Sequence, residues 1–364
     1  MEGLDVIRVG PEFSKGDELT VKGFEYFFQF FSFSLAGIIN RKADAIMCCC
    51  PPLPIAIASI LLGRLKRAPV IVRIGDLHPQ ELVDLGLIKS RSLIRLLELM
   101  ERFVYAKSDY LTVLSEGYRQ HLLSKGADGF KIRVLPNWGD IAELDALGKS
   151  IALSEYKGKF VVTYAGMISW FQDLETLVDA ASLLRANTNI HFLIVGDGPE
   201  KRRLEEKARI LGLQNVTFMP LQPRVDYLRI LQGSDVCVVA IKKEVKTTTI
   251  PSKLFDIMVC SRPVLAIAPT GEISDIISNS KCGSWVEPQN PQKVAGAILS
   301  LYQNSSNTEE SGRNGRRYLE AHFTLDNISK QHEEIMCQLA NRGIKIVRAR
   351  LWKSDSRPKF VSKT

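Results

Sequence analysis

The segment from Lys246 to Met258 contains the residues whose types and spacing best suit ligand chemistry. Three threonine hydroxyls precede Pro251, and Ser252 is a suitable N-cap for a helix that begins near Lys253. A helix N-terminus with free N–H groups, nearby hydroxyls and one lysine is typical of a phosphate-binding site. Asp256 follows one turn later, where it could accept hydrogen bonds from a ribose diol. An ordinary capped helix without a ligand explains the same residues equally well.

Three glycines and one polar pair are further candidates for ligand contact. Gly166 follows one predicted strand, and Gly196 and Gly198 follow the next. Glycine there allows the backbone to approach a ligand closely, or only makes a tight turn. Asp76 and His78 follow an apolar strand, in a loop where acid–base groups could work, although a loop without chemistry is the alternative. The sequence has no G-x-G-x-x-G fingerprint, P-loop, H-E-x-x-H motif or clustered metal ligands, so no metal site is predicted.

Two consecutive parallel α/β sheets are the architecture that must position these residues. Short apolar segments alternate with segments of helical period, of which Ser92–Ala106 is the clearest. Ligands of such sheets bind at the carboxyl ends of the strands, and the cleft between two such domains is the expected site. The predicted strands are Asp5–Val9, Ala45–Cys50, Pro69–Ile74, Tyr110–Ser115 and Ile132–Pro136, then Phe160–Ala165, His191–Val195, Val216–Met219, Val236–Ile241, Val264–Ile267 and Ser284–Val286.

Composition narrows the class of protein and of partner. The 364 residues suit two domains, and a net charge of +8 favours an anionic partner such as a nucleotide or an anionic membrane face. The basic residues are too dispersed for nucleic-acid binding. Seven cysteines without a C-x-x-C pair, and no signal peptide in residues 1–15, predict a cytoplasmic location.

Two segments raise the question of membrane contact. Phe24–Ile39 holds six phenylalanines within positions 24–33. Its 16 residues fall short of the roughly 20 that span a bilayer, so no transmembrane helix is predicted. A helix buried in a core is one interpretation, and an exposed face touching lipid or acceptor is the other. Residues 345–364 carry seven basic groups and one acid, which fits a solvated tail or attachment to anionic lipid.

The whole pattern resembles the retaining glycosyltransferases of family 4, the glycosyl transferases group 1. These enzymes have the GT-B fold of two Rossmann-like domains facing a cleft, and the fucosamine-transferase-like branch is the most similar. The resemblance extends over nearly the whole chain. Its most specific motifs are Arg73-Ile-Gly-Asp-Leu-His-Pro79, Val134-Leu-Pro-Asn137, Tyr164-Ala-Gly166, Ile194-Val-Gly-Asp-Gly-Pro199, Ile250-Pro-Ser-Lys-Leu-Phe-Asp256 and Arg262-Pro-Val-Leu265.

This resemblance implies transfer of a hexosyl or N-acetylhexosaminyl group from a nucleotide-diphosphate sugar, with retention and without metal or cofactor. The implied acceptor is a lipid-linked saccharide or another glycan in polysaccharide synthesis, with peripheral contact at the inner face of the plasma membrane. The implied domains are 1–149 on the acceptor side, 150–310 for the nucleotide sugar, C-terminal helices over 311–344 and a basic tail over 345–364. The implied site residues are Asp76, His78 and Lys253 for catalysis, and Gly166, Gly196, Gly198, Thr248, Thr249, Ile250, Pro251, Ser252, Lys253 and Asp256 for donor binding.

The chain departs from the family pattern in three respects. The first acid of the family's E-x7-E motif falls at Thr248, and the basic residue expected after Gly166 is replaced by Met-Ile-Ser-Trp-Phe171. Relatives also begin with a strand, a glycine-rich loop, a helix and another strand ahead of the segment matched by Asp5–Val9, so an N-terminally truncated first domain is expected. These departures leave two alternatives: a non-catalytic relative that binds only nucleotide or partners, and a nucleotide-sugar epimerase on the same fold.

Overall fold

A computed structural model describes residues 6–9, 19–40, 43–148, 153–245 and 250–355. Within these ranges the side chains of residues 19–24, 27, 305–307 and 342–355 are not described. Two separate parallel sheets organise the chain, as the alternating pattern predicts.

The first sheet has four parallel strands in the order β1-β2-β3-β4. Because the strand order follows the chain, right-handed crossovers place α2, α4 and α5 on one face. Their apolar sides pack against Cys48, Val72 and Leu111 of the sheet. The strands are β1 (Ile46–Cys50), β2 (Val70–Ile74), β3 (Tyr110–Val113) and β4 (Ile132–Val134), and the helices are α1 (Leu19–Ile39), α2 (Leu53–Lys66), α3 (Gln80–Asp84), α4 (Arg91–Lys107), α5 (Glu116–Ser124) and α6 (Ile141–Leu147).

The second sheet has six parallel strands in the order β10-β9-β8-β5-β6-β7. The order reverses between β5 and β8, which is the place where open α/β sheets form a ligand crevice. Both faces carry helices, so β5, β8 and β9 are buried along their whole length. The strands are β5 (Phe160–Ala165), β6 (Ile190–Val195), β7 (Val216–Met219), β8 (Val236–Ala240), β9 (Val264–Ile267) and β10 (Gly283–Val286), and the helices are α7 (Leu174–Leu183), α8 (Lys201–Ile210), α9 (Arg224–Gly233), α10 (Ser252–Val259), α11 (Glu272–Ser280), α12 (Pro291–Gln303) and α13 (Ser305–His322).

The last helix, α14 (Leu325–Asp355), returns from the second domain to the first. Ile335 and Leu339 pack against Ile71 and Leu135, on the sheet face opposite α2 and α4. The Arg73 guanidinium lies 3.2 Å from the His332 ring and donates to Asn137 at 2.8 Å. Because α14 continues to Asp355, the first part of the predicted tail over 345–364 is helical; residues 356–364 lie outside the described chain.

Two expectations for the N-terminal part need correction. Of the predicted strand Asp5–Val9, the described residues 6–9 belong to neither sheet. They lie beside α1 instead and border a cavity of about 510 Å³ lined by Ile7, Val9, Leu35 and Ile39 among others. The interpretation of Phe24–Ile39 as a buried helix is also wrong, because Phe28, Phe31 and Leu35 of α1 are exposed. In the described part of the chain, no helix is long and apolar enough to cross a bilayer.

Candidate functional site

Three glycines hold two loops together at the carboxyl edge of the second sheet. The loop after β5 begins at Gly166, and the loop after β6 contains Gly196 and Gly198. A Cβ atom on Gly196 would lie 1.9 Å from the Gly166 carbonyl oxygen, and one on Gly198 would lie 2.3 Å from the Ile168 carbonyl oxygen. Both glycines have positive φ, +151° and +146°. The loops therefore contact each other backbone to backbone, which only glycine permits.

Lys253 reaches these loops from the first turn of α10. A Cβ atom on Gly166 would lie 2.8 Å from Lys253 Nζ, so the ammonium group contacts the glycine loop directly. Nζ donates to Tyr164 Oη at 2.6 Å and lies 3.9 Å from the centroid of that ring. No ion pair to Lys253 occurs among the described residues. Burial lowers the pKa of Lys253 to about 7. An anionic ligand here would supply the missing counter-charge and favour the protonated amine.

The start of α10 differs from the prediction at Ser252. The helix begins at Ser252, and Pro251 occupies the N-cap position with extended backbone angles. Ser252 is therefore the first helical residue and does not cap the helix; no side chain in the described residues does so. The uncapped N–H groups of this first turn are hydrogen-bond donors for an anion. Ile250 is buried and anchors the approach, while Thr248 and Thr249 lie outside the described residues.

Asp256, one turn into α10, is held by two residues that the sequence analysis missed. Arg224 donates to both carboxylate oxygens, at 2.9 and 2.8 Å, and Tyr227 Oη donates at 3.1 Å. The same guanidinium binds Glu143 at 2.8 Å and lies 5.4 Å from the Tyr227 ring centroid. The hydrogen bond from Arg224 to Asp256 is the main cause that raises the pKa of Arg224. Arg224 is the first residue of the helix that follows β7, so the strand-end rule could have identified it.

Asp76 and His78 lie apart from these groups, in the loop after β2 of the first sheet. Asp76 is exposed, yet the surrounding protein limits its hydration and raises its pKa, an effect that His78 opposes. Burial lowers the pKa of His78, which favours the neutral imidazole, while Asp76 acts in the other direction. No hydrogen bond among the described residues joins this pair to Lys253 or Asp256. The predicted site residues thus form two groups, one on each sheet.

Glu272 connects the two domains near the same edges. It is the first residue of α11 in the second domain, and its Oε1 accepts from the backbone N–H groups of Glu116 and Gly117 at the start of α5. Its carboxylate therefore caps a helix of the first domain across the domain boundary. Partial burial raises the pKa of Glu272, and the bonds from these N–H groups oppose that rise. This contact holds the carboxyl edge of the first sheet towards the second.

The described residues contain no group of three or more His, Cys, Asp or Glu side chains that could hold a metal ion. At the edge of the second sheet, the Lys253 ammonium group and the N–H donors of the first turn of α10 suit an anionic ligand.

Comparison with known proteins first gives the class of protein. Solved structures with the same fold include sucrose-phosphate synthase from Thermosynechococcus elongatus, with a TM-score of 0.70 and 19% identity over 87% of this chain and 78% of that one. Another is Anabaena HepE in complex with UDP and glucose, with a TM-score of 0.67 and 16% identity over 80% of this chain and 78% of that one. The architecture is therefore the GT-B fold of two Rossmann-like domains.

The family follows from the sequence matches. Residues 149–318 match the glycosyl transferases group 1, and residues 2–138 match the glycosyl transferase 4-like domain. The chain is 29% identical to a putative colanic acid biosynthesis glycosyl transferase, WcaI of Escherichia coli, over 82% of this chain and 75% of WcaI. It is 25% identical to a probable glycosyltransferase, WbjE of Pseudomonas aeruginosa, over 78% of this chain and 73% of WbjE. The two family models together match most of the chain, which is a glycosyltransferase that combines these two domains.

Proposed function

We propose that the chain is a retaining glycosyltransferase that moves a hexosyl or N-acetylhexosaminyl group from a nucleoside-diphosphate sugar to a lipid-linked saccharide. The observation that carries this proposal is Lys253, a partly buried cation with no carboxylate partner among the described residues. It lies between a glycine loop and the start of α10, which no described side chain caps. A pyrophosphate group has the charge and acceptor oxygens that such a site lacks. The resemblance to the fucosamine-transferase-like branch supports an amino sugar as the transferred group, and a lipid-linked acceptor would place the protein at an anionic membrane face.

The chemistry assigns a task to each group. As the bond between the anomeric carbon and the diphosphate oxygen breaks, negative charge accumulates on the leaving diphosphate. Lys253 and the first-turn N–H groups of α10 stabilise that charge, and the close backbone contacts at Gly166, Gly196 and Gly198 hold the two loops together beside Lys253. On the acceptor side, His78 as a neutral imidazole, or Asp76, accepts the proton of the attacking hydroxyl. That the transferred sugar keeps its anomeric configuration is likewise part of the proposal.

A thermal-shift screen against nucleoside diphosphates and their sugars tests donor binding. One diphosphate at about 100 times its Kd should stabilise the protein by about 2.7 kcal/mol, while the matching nucleoside should have no effect. Release of nucleoside diphosphate from the sugar should then occur with a glycan acceptor. If no diphosphate shifts the melting temperature, the proposed donor site is wrong.

Asp256 is proposed as the ligand of the ribose hydroxyls, with Arg224 fixing its orientation. Asp256→Ala should raise the donor KM by about tenfold or more, because it removes a charged hydrogen-bond acceptor worth about 1.5–3 kcal/mol. Asp226→Ala on α9 is the matched control, since the Asp226 side chain is half exposed and its ion pair to Arg229, at 3.7 Å, is weak. Steady-state kinetics with varied donor give both values. Equal KM values for the two variants would remove Asp256 from the donor site.

A second candidate function is nucleotide binding without sugar transfer. It is favoured by the loop after Gly166, where residues 167–171 carry no charged side chain that could assist Lys253. Calorimetry that detects nucleotide binding, together with no release of nucleoside diphosphate in the presence of any glycan acceptor, would favour this candidate over transfer.

A further inference from the structure

Helices α2 and α4 lie side by side on the first domain and expose leucine side chains to solvent. In α2, Leu61 and Leu65 are 46% and 66% exposed. In α4, Leu93, Leu96 and Leu99 are 42%, 55% and 65% exposed. Single exposed leucines are common, but five on two helices that pack against each other are a degree of apolar exposure typical of an interaction site. We call these five leucines, with the cations described next, the α2–α4 surface.

Arginines lie among these leucines. The exposed cations are Arg64 and Arg67 at the end of α2, and Arg91, Arg95 and Arg102 along α4. None of the five forms an ion pair within the described part of the chain.

The acids of the two helices do not offset this charge. Helix α2 has none; Glu98 of α4 is paired with Lys125 at 3.0 Å, and Glu101 is fully buried. The α2–α4 surface is therefore apolar and cationic at once.

The position of this surface relative to the cleft suits an interfacial role. Helices α2 and α4 follow β1 and β2, so both begin at the carboxyl edge of the first sheet, where Asp76 and His78 lie. Arg91 and Leu93 are in the first turn of α4, close to that edge. A flat partner that covers the α2–α4 surface would consequently lie beside the carboxyl edge of the first sheet, close to Asp76 and His78.

We propose that the α2–α4 surface docks the protein on an anionic lipid bilayer. Leucines that enter the acyl boundary and arginines that remain among the headgroups match the two layers of such a membrane. The charge argues against a second copy of the chain, because a twofold pairing of this face would bring five guanidinium groups against five others. The proposal depends on the proposed function only for the purpose of docking, which is access to a lipid-linked acceptor. Binding to lipid itself can be measured without turnover.

Vesicle flotation of the full chain tests the proposal with two variants. Wild-type protein should bind phosphatidylcholine vesicles that contain 30% phosphatidylglycerol. Its binding to vesicles of pure phosphatidylcholine should be at least tenfold weaker. L96S/L99S and R64Q/R95Q/R102Q should each weaken binding to the anionic vesicles at least tenfold, and salt should weaken it further. L183S/I210S is the control, since Leu183 and Ile210 are exposed apolar residues of the second domain; it should bind like wild type.

The outcomes separate this proposal from the proposed function. No wild-type binding, equal binding to both vesicle types, or unchanged binding of the two α2–α4 variants would overturn it. A dimer in solution that L96S/L99S dissociates would assign the surface to self-association instead. The nucleotide-induced thermal shift should be the same in all variants, because none of these residues lies in the donor site. A missing shift in wild type counts against the donor site, and leaves the lipid result valid.

Discussion

Replacing Lys253 with alanine is expected to lower kcat/KM for the nucleotide-sugar donor by about 10²- to 10³-fold. The loss of one preorganised group that stabilises developing charge has about this effect in enzymes, equivalent to about 3–4 kcal/mol. Lys253 has no carboxylate partner among the described residues, so its charge is available to the leaving diphosphate. Steady-state kinetics of nucleoside-diphosphate release measure the change.

Two further variants show whether the effect is specific to the Lys253 side chain. Lys253→Arg keeps the charge but not the fit against Gly166 and Tyr164, so partial activity is expected. Lys293→Ala, which removes an exposed lysine of α12, is the matched control and should behave like wild type. If Lys253→Ala retains wild-type kcat/KM, Lys253 does not act on the diphosphate, and the site assignment fails.

The pH dependence provides a second, independent readout of Lys253. Its pKa in the free protein is lowered to about 7, so the amine loses its charge as the pH rises through that value. kcat/KM, which reports the free protein, should therefore fall on the alkaline side of about pH 7. Bound diphosphate favours the charged amine, so the corresponding fall in kcat should occur at higher pH. In Lys253→Arg the alkaline fall in kcat/KM near pH 7 should disappear, since arginine stays protonated.

The second domain could be predicted from sequence more completely than the first. Strands such as Phe160–Ala165 and Val264–Ile267 are buried on both faces, so their short apolar segments are distinct from the amphipathic helices between them. The positions of the three glycines and of Lys253 at the carboxyl edge of the sheet could be predicted from these strands, because the loops and helix starts that carry them lie at the strand ends. The strand prediction for Asp5–Val9 is wrong for its described residues, 6–9, because a β-like segment forms a strand only when another strand pairs with it, which no local pattern reveals.

The groups that the sequence analysis missed all act over long sequence separations. Arg224 joins Asp256 across 32 residues, and Glu272 joins Gly117 across 155. Their residue types are common on helix surfaces, so only the packing of the domains distinguishes them from solvated charges. The exposure of α1 was equally hidden, because periodicity identifies an apolar helix face but not whether another element covers it.

Gly196→Ala is expected to destabilise the second domain by about 2–4 kcal/mol, the largest structural effect of any single change at the site. The added Cβ would lie 1.9 Å from the Gly166 carbonyl oxygen, and φ at this residue is +151°, where L-residues are strained. Relief requires the loops after β5 and β6 to separate, which would also move Gly166 away from Lys253. Urea unfolding followed by tryptophan fluorescence and circular dichroism measures the first effect, and nucleotide titration measures the second.

Alanine substitutions at two other glycines serve as controls, because no atom lies near the Cβ position at either of them. Gly212 has φ of +64° and open space around its Cβ position, so Gly212→Ala should cost only the backbone preference, about 1 kcal/mol. Gly296 lies inside α12 with nothing near its Cβ position, so Gly296→Ala should stabilise by about 0.5–1 kcal/mol. The excess of Gly196→Ala over Gly212→Ala then measures the collision with Gly166 together with the greater backbone strain at φ of +151°. An excess near zero would show that the loops separate freely, and that the contact between Gly166 and Lys253 does not depend on them.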